Sequence, residues 1–386
     1  MKAKIGFGFI LCSLFSSFSH ADENTYSVIA ETTVSMPDTT WVGGTLSNNS
    51  LYFPSYESMK KITLPQGEVI ETPMQSYSSS QANINLPDLS SVMIPYGKNH
   101  WLTGSALDDR HVEIWNTDLS QKIKSVELPE ACTGERFSFR ISESSQYLAC
   151  GDAVLSLNTG KNFDVHRTGP GTYNDSFFIG DQYYVALSQN YHPDENAIFV
   201  SDLATSNVVD SGWDEKVHYI AGPEQGNFIA AVIDKSSIFS DSNILCVMDV
   251  KKLKCEQLYK GKINGLRVSP SGHYILISTA EGLLVFEKGE GLTFTQKAAL
   301  NYTLPPQSNY VVNQFNGYNT LAFKSDHEVF AVTENADVVL LDIATGKELA
   351  RNTFAKGDTP FSLQYSGDYL AVMWNSGKLD VLKVSQ

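Results

Sequence analysis

Side chains capable of acid–base, nucleophilic or metal chemistry are scattered through this sequence of 386 residues. Its eight histidines occur one at a time, and the motifs of hydrolase nucleophiles, zinc peptidases, phosphate loops and dinucleotide sites are missing. Acidic runs such as Asp108-Asp109 lack the ligand spacing of a calcium loop and are typical of turns. The sequence therefore predicts no catalytic residue, no metal site and no cofactor, and it favours a binding protein over an enzyme.

Candidate binding residues lie in long polar segments in which tyrosine occurs among serine, asparagine, glutamine and glycine. Tyrosine supplies a large contact area at a low entropic cost, and the small polar residues adapt their hydrogen bonds, so this mixture is typical of binding loops. Ordinary surface loops packed on themselves are the alternative interpretation. The candidate binding residues are Tyr77, Asp108, Asp109, Tyr191, His192, Asp194, Phe239, Asp241, Tyr302 and Tyr310.

The elements that must position these residues follow from an internal repeat. Three segments (144–150, 271–277 and 366–372) match one another as a small-residue turn, a polar residue, a tyrosine and an apolar strand. Their tyrosines, at positions 147, 274 and 369, are separated by 127 and 95 residues. These distances are three and two units of a period in the forties, which is typical of a four-stranded propeller blade. The residues in equivalent places of the other units are Leu51, Trp101, Tyr183, Phe228 and Val329.

Each repeat unit predicts four short strands, because β-branched and aromatic residues alternate with polar ones and Gly, Asn or Asp stands at each break. The predicted fold class is all-β: a closed β-propeller of about eight four-stranded blades, with seven as the alternative. The last unit has no fourth strand of its own, and residues 26–34 form a strand without a partner near the N-terminus. We expect this strand to complete the last blade and close the ring, which removes an aggregation-prone sheet edge.

In a propeller, the loops between second and third strands and the connections between blades open on the same face. The long segments here are of these two kinds: residues 107–111, 189–195 and 235–243 within units, and residues 75–87 and 301–318 between units. Because long loops on a rigid scaffold commonly carry binding residues, we expect a protein partner to bind this face.

An enzyme with a small-molecule or metal site in the central channel is the alternative function. The first strand of each blade lines the channel of a propeller. The first strands that can be placed offer mostly Ser, Asn and Thr, with Arg140, Asp175 and His218 as exceptions. A metal site would need several carboxylates, amides or imidazoles converging there.

Two segments add a family resemblance. Residues 101–116 resemble a blade of the WD-repeat family, with Trp115-Asn116 in place of that family's Trp-Asp pair. Residues 340–349 are similar to blades of the bacterial YVTN-type and quinoprotein-type propellers. The resemblance covers the chain after residue 21 at the level of the blade pattern. It implies the propeller fold, and it links the enzyme alternative to lactonase-like and quinoprotein-like propellers.

The N-terminus predicts export. A basic start precedes an apolar run, and Ser19 and Ala21 occupy the positions that a signal peptidase recognises. We therefore expect residues 1–21 to be a signal peptide, residues 22–386 to be the propeller domain, and the protein to be periplasmic or secreted. No later apolar stretch has the length of a membrane span. The formal net charge of −15 disfavours nucleic acid, so the expected partner is another envelope or imported protein.

Four cysteines follow the predicted signal peptide, and disulfides persist in the compartment that it implies. Cys246 and Cys255 flank a polar turn between two strand-like segments, which predicts a disulfide across a hairpin. Cys132 and Cys150 remain as the second predicted pair. The other pairings and four free thiols are the alternatives.

Overall fold

The structure is a computed structural model that describes most of the chain after residue 26. The described residues are 27–33, 45–47, 50–54, 58–73, 92–97, 99–104, 110–130, 139–150, 153–164, 172–189, 197–210, 216–235, 242–305, 320–354, 360–374 and 378–384. They form 32 strands in eight four-stranded antiparallel sheets. The number of predicted blades is therefore confirmed as eight, and the predicted signal peptide lies outside the described residues.

Each sheet is one blade, and its strands follow one another in chain order from the innermost outward. Blade 1 contains β2 (Thr45–Ser47), β3 (Ser50–Pro54), β4 (Ser58–Thr63) and β5 (Glu68–Pro73). Blade 2 contains β6 (Val92–Tyr96), β7 (His100–Gly104), β8 (His111–Asn116) and β9 (Lys122–Glu127). Blade 3 contains β10 (Arg140–Ile141), β11 (Tyr147–Cys150), β12 (Ala153–Ser156) and β13 (Asn162–Asp164). Blade 4 contains β14 (Thr172–Ile179), β15 (Tyr183–Gln189), β16 (Ala197–Asp202) and β17 (Asn207–Asp210).

The second half of the ring repeats this order with one exception. Blade 5 contains β18 (Val217–Ala221), β19 (Phe228–Asp234), β20 (Asn243–Asp249) and β21 (Glu256–Gly261). Blade 6 contains β22 (Ile263–Val268), β23 (Tyr274–Thr279), β24 (Gly282–Lys288) and β25 (Phe294–Leu300). Blade 7 contains β26 (Leu321–Phe323), β27 (Glu328–Val332), β28 (Asp337–Asp342) and β29 (Lys347–Thr353). Blade 8 contains β30 (Pro360–Ser366), β31 (Tyr369–Trp374), β32 (Lys378–Lys383) and, outermost, β1 (Ser27–Thr33).

The predicted repeat register matches the observed second strands. The eight aligned residues each occupy the first or second position of the second strand of a blade. In the resembling segment of blade 2, Trp115-Asn116 forms the end of the third strand, β8. The spacing of the three repeat tyrosines thus gave a period that located all eight second strands correctly.

The second strands are apolar on both faces because each blade packs against two neighbours. In β19, Ile229 and Ile233 belong to the cluster shared with blade 4. The alternating residues Phe228 and Val232 belong to the cluster shared with blade 6. A strand buried on both faces has a continuous apolar sequence rather than an alternating one, and every residue from 228 to 233 is buried.

The N-terminal strand pairs with the last strand of the chain. In the antiparallel register of β1 and β32, Ser27 lies opposite Lys383 and Thr33 opposite Lys378. The first and last blades are also in direct contact, since Leu46 and Leu51 pack with Tyr369 and Leu379 in one buried cluster. The eight blades therefore form a ring.

Short turns between first and second strands tie neighbouring blades together. Four backbone N–H groups in these turns donate to an oxygen in the corresponding turn of the next blade, so that their hydrogen-bonding capacity is satisfied between blades. The bonds are Gly97 N to Ser145 Oγ (2.9 Å), Gly180 N to Glu224 O (2.5 Å), Glu224 N to Pro270 O (2.9 Å) and Ser271 N to Asp326 Oδ1 (2.9 Å).

The predicted disulfide between Cys246 and Cys255 is present. It joins β20 to the segment just before β21, with 5.1 Å between the two Cα atoms. Cys150 is also disulfide-bonded, and its predicted partner, Cys132, lies outside the described residues. Within the described part of the chain, no helix is long and apolar enough to cross a membrane.

Candidate binding site

The two faces of the ring differ in the connections that they carry. The short-turn face holds the turns between first and second strands and between third and fourth strands. The long-connection face holds the loops between second and third strands and the connections between blades. The longest connections, from Pro73 to Val92 and from Leu300 to Leu321, both belong to the long-connection face. The strand bounds therefore confirm the predicted placement of the long segments.

All ten predicted binding residues fall in the loops and connections of the long-connection face. Nine of them lie outside the described residues: Tyr77, Asp108, Asp109, Tyr191, His192, Asp194, Phe239, Asp241 and Tyr310. Tyr302 is described and half-buried, and its hydroxyl donates to Glu348 Oε2 at 2.5 Å. Burial and the neighbouring Glu348 carboxylate raise the pKa of Tyr302 to about 12.

Glu348 is itself held by a guanidinium. Arg351 donates to both of its carboxylate oxygens, at 2.8 and 2.7 Å, and also pairs with Asp337. This network anchors the start of the connection between blades 6 and 7 onto blade 7. The hydroxyl of Tyr302 thus has a structural partner, while its ring packs beside the apolar cluster of these two blades.

A cavity of about 600 Å³ lies in the central channel. The innermost strands or their adjoining turns supply its wall from seven of the eight blades. Its lining includes Glu224 and Pro270, which belong to turns of the short-turn face. The cavity therefore lies at that end of the channel, opposite the long-connection face.

Three polar residues of the cavity wall occupy the same layer of the ring. Arg140 pairs with Ala149, Arg267 with Leu276, and Gln364 with Ala371. Each of these partners stands two positions after one of the three repeat tyrosines (147, 274 and 369). The repeat geometry thus brings two guanidinium groups and one amide to one level of the channel.

The side chain of Arg140 is fixed by neutral acceptors. Its Nε donates to the backbone oxygen of Ser176 in blade 4 at 2.9 Å, and its Nη1 donates to the oxygen of Phe139 at 3.0 Å. Among the described residues it makes no ion pair. Since a guanidinium carries five N–H donors, most of its donors have no acceptor among the described residues, and no described carboxylate pairs with its charge.

Gln364 is fixed from its acceptor end. Its Oε1 accepts a hydrogen bond from the backbone N–H of Leu46, in blade 1, at 3.1 Å. The other part of this amide is its NH₂ group, which is a hydrogen-bond donor, and the side chain also lines the cavity. The same bond joins blades 1 and 8.

A carboxylate stands at the short-turn end of the cavity. Glu224 lines the cavity and lies in the turn after β18. Partial burial raises the pKa of Glu224, and the negative charges of Glu143 and Asp326 raise it further. The cavity thus has a negative mouth above a positively charged layer.

The donor set differs from that of a metal site. No group of three or more His, Cys, Asp or Glu side chains is placed to hold a metal ion in the part of the chain that the structure describes. Of the three predicted channel residues, Arg140 lines the cavity. The Nε2 atom of His218 instead lies 3.3 Å from Oδ2 of Asp234 in the same blade. The side chain of Asp175 lies outside the described residues.

Sequence reasoning missed Arg267, Glu224 and Gln364. The signal for Arg267 was available, because Arg140 and Arg267 both stand seven residues before a repeat tyrosine. Gln364 stands only five residues before Tyr369 because the turn of blade 8 is shorter, so a fixed spacing does not find it.

The eight four-stranded sheets arranged in a ring define the class of fold: this chain is an eight-bladed β-propeller. The computationally designed Ika8 protein has a crystal structure that is similar over 94% of this chain and 98% of its own, with a TM-score of 0.57 and 13% identity.

The β-propeller domain of Cps50 (Swd1) from Myceliophteria thermophila is similar over 77% of this chain and 98% of its own, with a TM-score of 0.48 and 15% identity. No protein-family model and no curated protein matches the sequence.

Proposed function

We propose that this protein is an exported scaffold propeller that binds another envelope or imported protein through its long-connection face. The observation that carries the proposal is the placement of the long connections, which the strand bounds collect on one face of the ring. The proposed roles of such a protein are those of an assembly factor, an inhibitor or an immunity-type protein that covers a toxin.

The ring supplies a rigid support for those connections. Its second strands are buried on both faces, and the turns on the opposite face are hydrogen-bonded from blade to blade. Binding residues in loops work best when a rigid scaffold fixes the loop ends. The loops that begin after Gln189 and Asp234 belong to the neighbouring blades 4 and 5, so we expect them to form one contact surface.

Export is part of the proposal. The disulfide between Cys246 and Cys255 supports an oxidising compartment, because such bonds rarely persist in the cytosol. N-terminal sequencing of protein recovered from the periplasm or medium is expected to begin at Asp22. An intact start at Met1 in recovered protein would contradict cleavage.

A loop-shortening experiment tests the binding face. Residues 190–196 and 236–241 are each replaced by Asn-Gly in the exported protein. The partner is captured from envelope extract, identified by mass spectrometry, purified, and titrated against each variant. We expect at least a tenfold loss of affinity. The control is K251Q/K252Q, which alters the short-turn face of the same blade 5. Unchanged affinity of the shortened variants, with melting temperatures equal to wild type, would exclude this face.

A further inference from the structure

We propose that the central channel holds a second binding site, opening on the short-turn face, for a carboxylate group carried on an apolar body. This site is independent of the proposed protein-binding function, because it lies at the other end of the channel from the long connections. Three features of the cavity support the proposal: its shape, its charge and its fixed donors.

The size and walls of the cavity suit a small organic group. A volume of about 600 Å³ is within the range of small-molecule sites, which are typically ~300–1,000 Å³. Much of the lining is apolar, including Ile94, Phe139, Leu321, Phe323 and Leu363. These side chains come from four different blades, so an apolar group that enters the channel is contacted from several sides.

The uncompensated charge of Arg140 selects the polar end of the ligand. A guanidinium that is half-buried and lacks a carboxylate partner gains most from an anion that accepts two parallel hydrogen bonds. Its Nε and Nη1 are already bonded to the oxygens of Ser176 and Phe139, which fixes the side chain before a ligand arrives. A carboxylate matches the charge of this fixed guanidinium and can accept hydrogen bonds from Nη2, which neither of these two bonds uses.

Arg267 and Gln364 add a second guanidinium and an amide to the wall of the same layer. Both line the cavity, and both occupy the register position of Arg140 in their own blades. Since Leu46 N–H occupies the oxygen of the Gln364 amide, this side chain presents donors to an anion. The layer is thus chemically suited to an acceptor and poorly suited to a cation.

Glu224 at the mouth restricts which anions bind. A second negative charge on the ligand would lie close to Glu224, with Glu143 and Asp326 near enough to act on the same carboxylate. Monocarboxylates with an apolar or cationic remainder are therefore favoured over dicarboxylates. Two sources share this chemistry: a free monocarboxylic acid and the C-terminal residue of a peptide.

Calorimetric titration of the exported protein distinguishes the sources. The probes are 3-phenylpropionate and acetyl-Ala-Leu-Phe with a free C-terminus, and each is compared with its amide. We expect at least one carboxylate to bind, and its amide to bind at least tenfold more weakly. Binding of phenylpropionate as tight as that of the peptide assigns the site to a free acid, and binding of the peptide alone assigns it to a peptide C-terminus. Absence of binding by both carboxylates up to millimolar concentration, or equal binding of acid and amide, would overturn the proposal.

Variants locate the site. R140Q is expected to weaken binding of the carboxylate at least tenfold, whereas K124Q, which removes one positive charge from the exposed outer strand β9, leaves it unchanged. Retained affinity in R140Q would place the ligand elsewhere and overturn the proposal. If R140Q fails to fold, the comparison of acid and amide in the wild-type protein remains decisive. The loop-shortened variants should bind the probes like wild type, so failure of one proposal is separable from failure of the other.

Discussion

The two faces of the propeller are built from the same strands, but one carries closely packed short turns and the other carries long connections. On the short-turn face, backbone N–H groups of one turn donate to the corresponding turn of the next blade. The packing there is also close, because a Cβ added at Gly272 would lie 2.8 Å from Phe228 and 2.9 Å from Pro223. On the long-connection face, chain segments as long as the one between Leu300 and Leu321 separate neighbouring strands. We therefore expect the short-turn face to contribute more to stability than the long-connection face.

The largest effect should follow from removing an aromatic side chain near the short-turn face. Phe228 is fully buried, packs on Phe294 with 5.3 Å between ring centroids, and lies under the ammonium group of Lys288. We expect F228A to lower the free energy of unfolding by about 3–5 kcal/mol, measured by urea denaturation. The control I123A removes an exposed side chain and should change stability by less than ~0.5 kcal/mol. Equal effects of the two variants would refute the packing argument.

The disulfide should rank second. Cys246 and Cys255 are nine positions apart. Closing a loop of this length lowers the entropy of the unfolded chain, which stabilises the folded state by roughly 2–3 kcal/mol. We expect the double variant C246A/C255A to lose about that much stability under non-reducing conditions. A melting temperature equal to that of wild type would show that the bridge does not limit the unfolded state.

Breaking one bond between neighbouring turns should have a smaller effect. D326A removes the acceptor of the Ser271 N–H, and because the site is exposed to water we expect a loss of about 1 kcal/mol. D368A is the matched control, since the Asp368 side chain is exposed and lies in the equivalent turn of blade 8. The contribution of the inter-blade bond is disproved if both variants denature at the same urea concentration.

Shortening a connection on the opposite face should have the smallest effect. Replacing residues 236–241 by Asn-Gly shortens the loop, and each halving of a loop changes the free-energy cost of closing it by only about 0.6 kcal/mol. We therefore expect the urea midpoint to remain near that of wild type, even where partner affinity is lost. A destabilisation as large as that of F228A would show that the loop is part of the core.

The strand framework could be predicted from the sequence, because buried second strands repeat a recognisable pattern. Tyr147, Tyr274 and Tyr369 stand at the start of such strands, and their spacing fixed the blade length. The outer strands are less distinctive; in β9, for example, most side chains are exposed. The strand β9 is held by its hydrogen-bonded pairing with β8 rather than by an apolar face of its own.

The channel chemistry could be predicted only in part. Arg140 was identified in a first strand, but β10 contains two residues and carries little pattern of its own. Gln364 acquires its position from a shorter turn, and Glu224 lies beyond the end of β18. These side chains meet through ring geometry between blades, which no local sequence pattern contains.

The pairing of β1 with β32 has a consequence for the order of folding. Blades 1 to 7 contain only strands that are consecutive in the chain, so each can form its sheet from local contacts. Blade 8 instead joins Ser27–Thr33 to Lys378–Lys383, and this contact spans nearly the whole sequence. Contacts of such separation form slowly because the chain between them must be ordered or searched first. The segment synthesised early must therefore stay available until the last strands emerge, which makes ring assembly a late step and the open ring the species most exposed to misfolding.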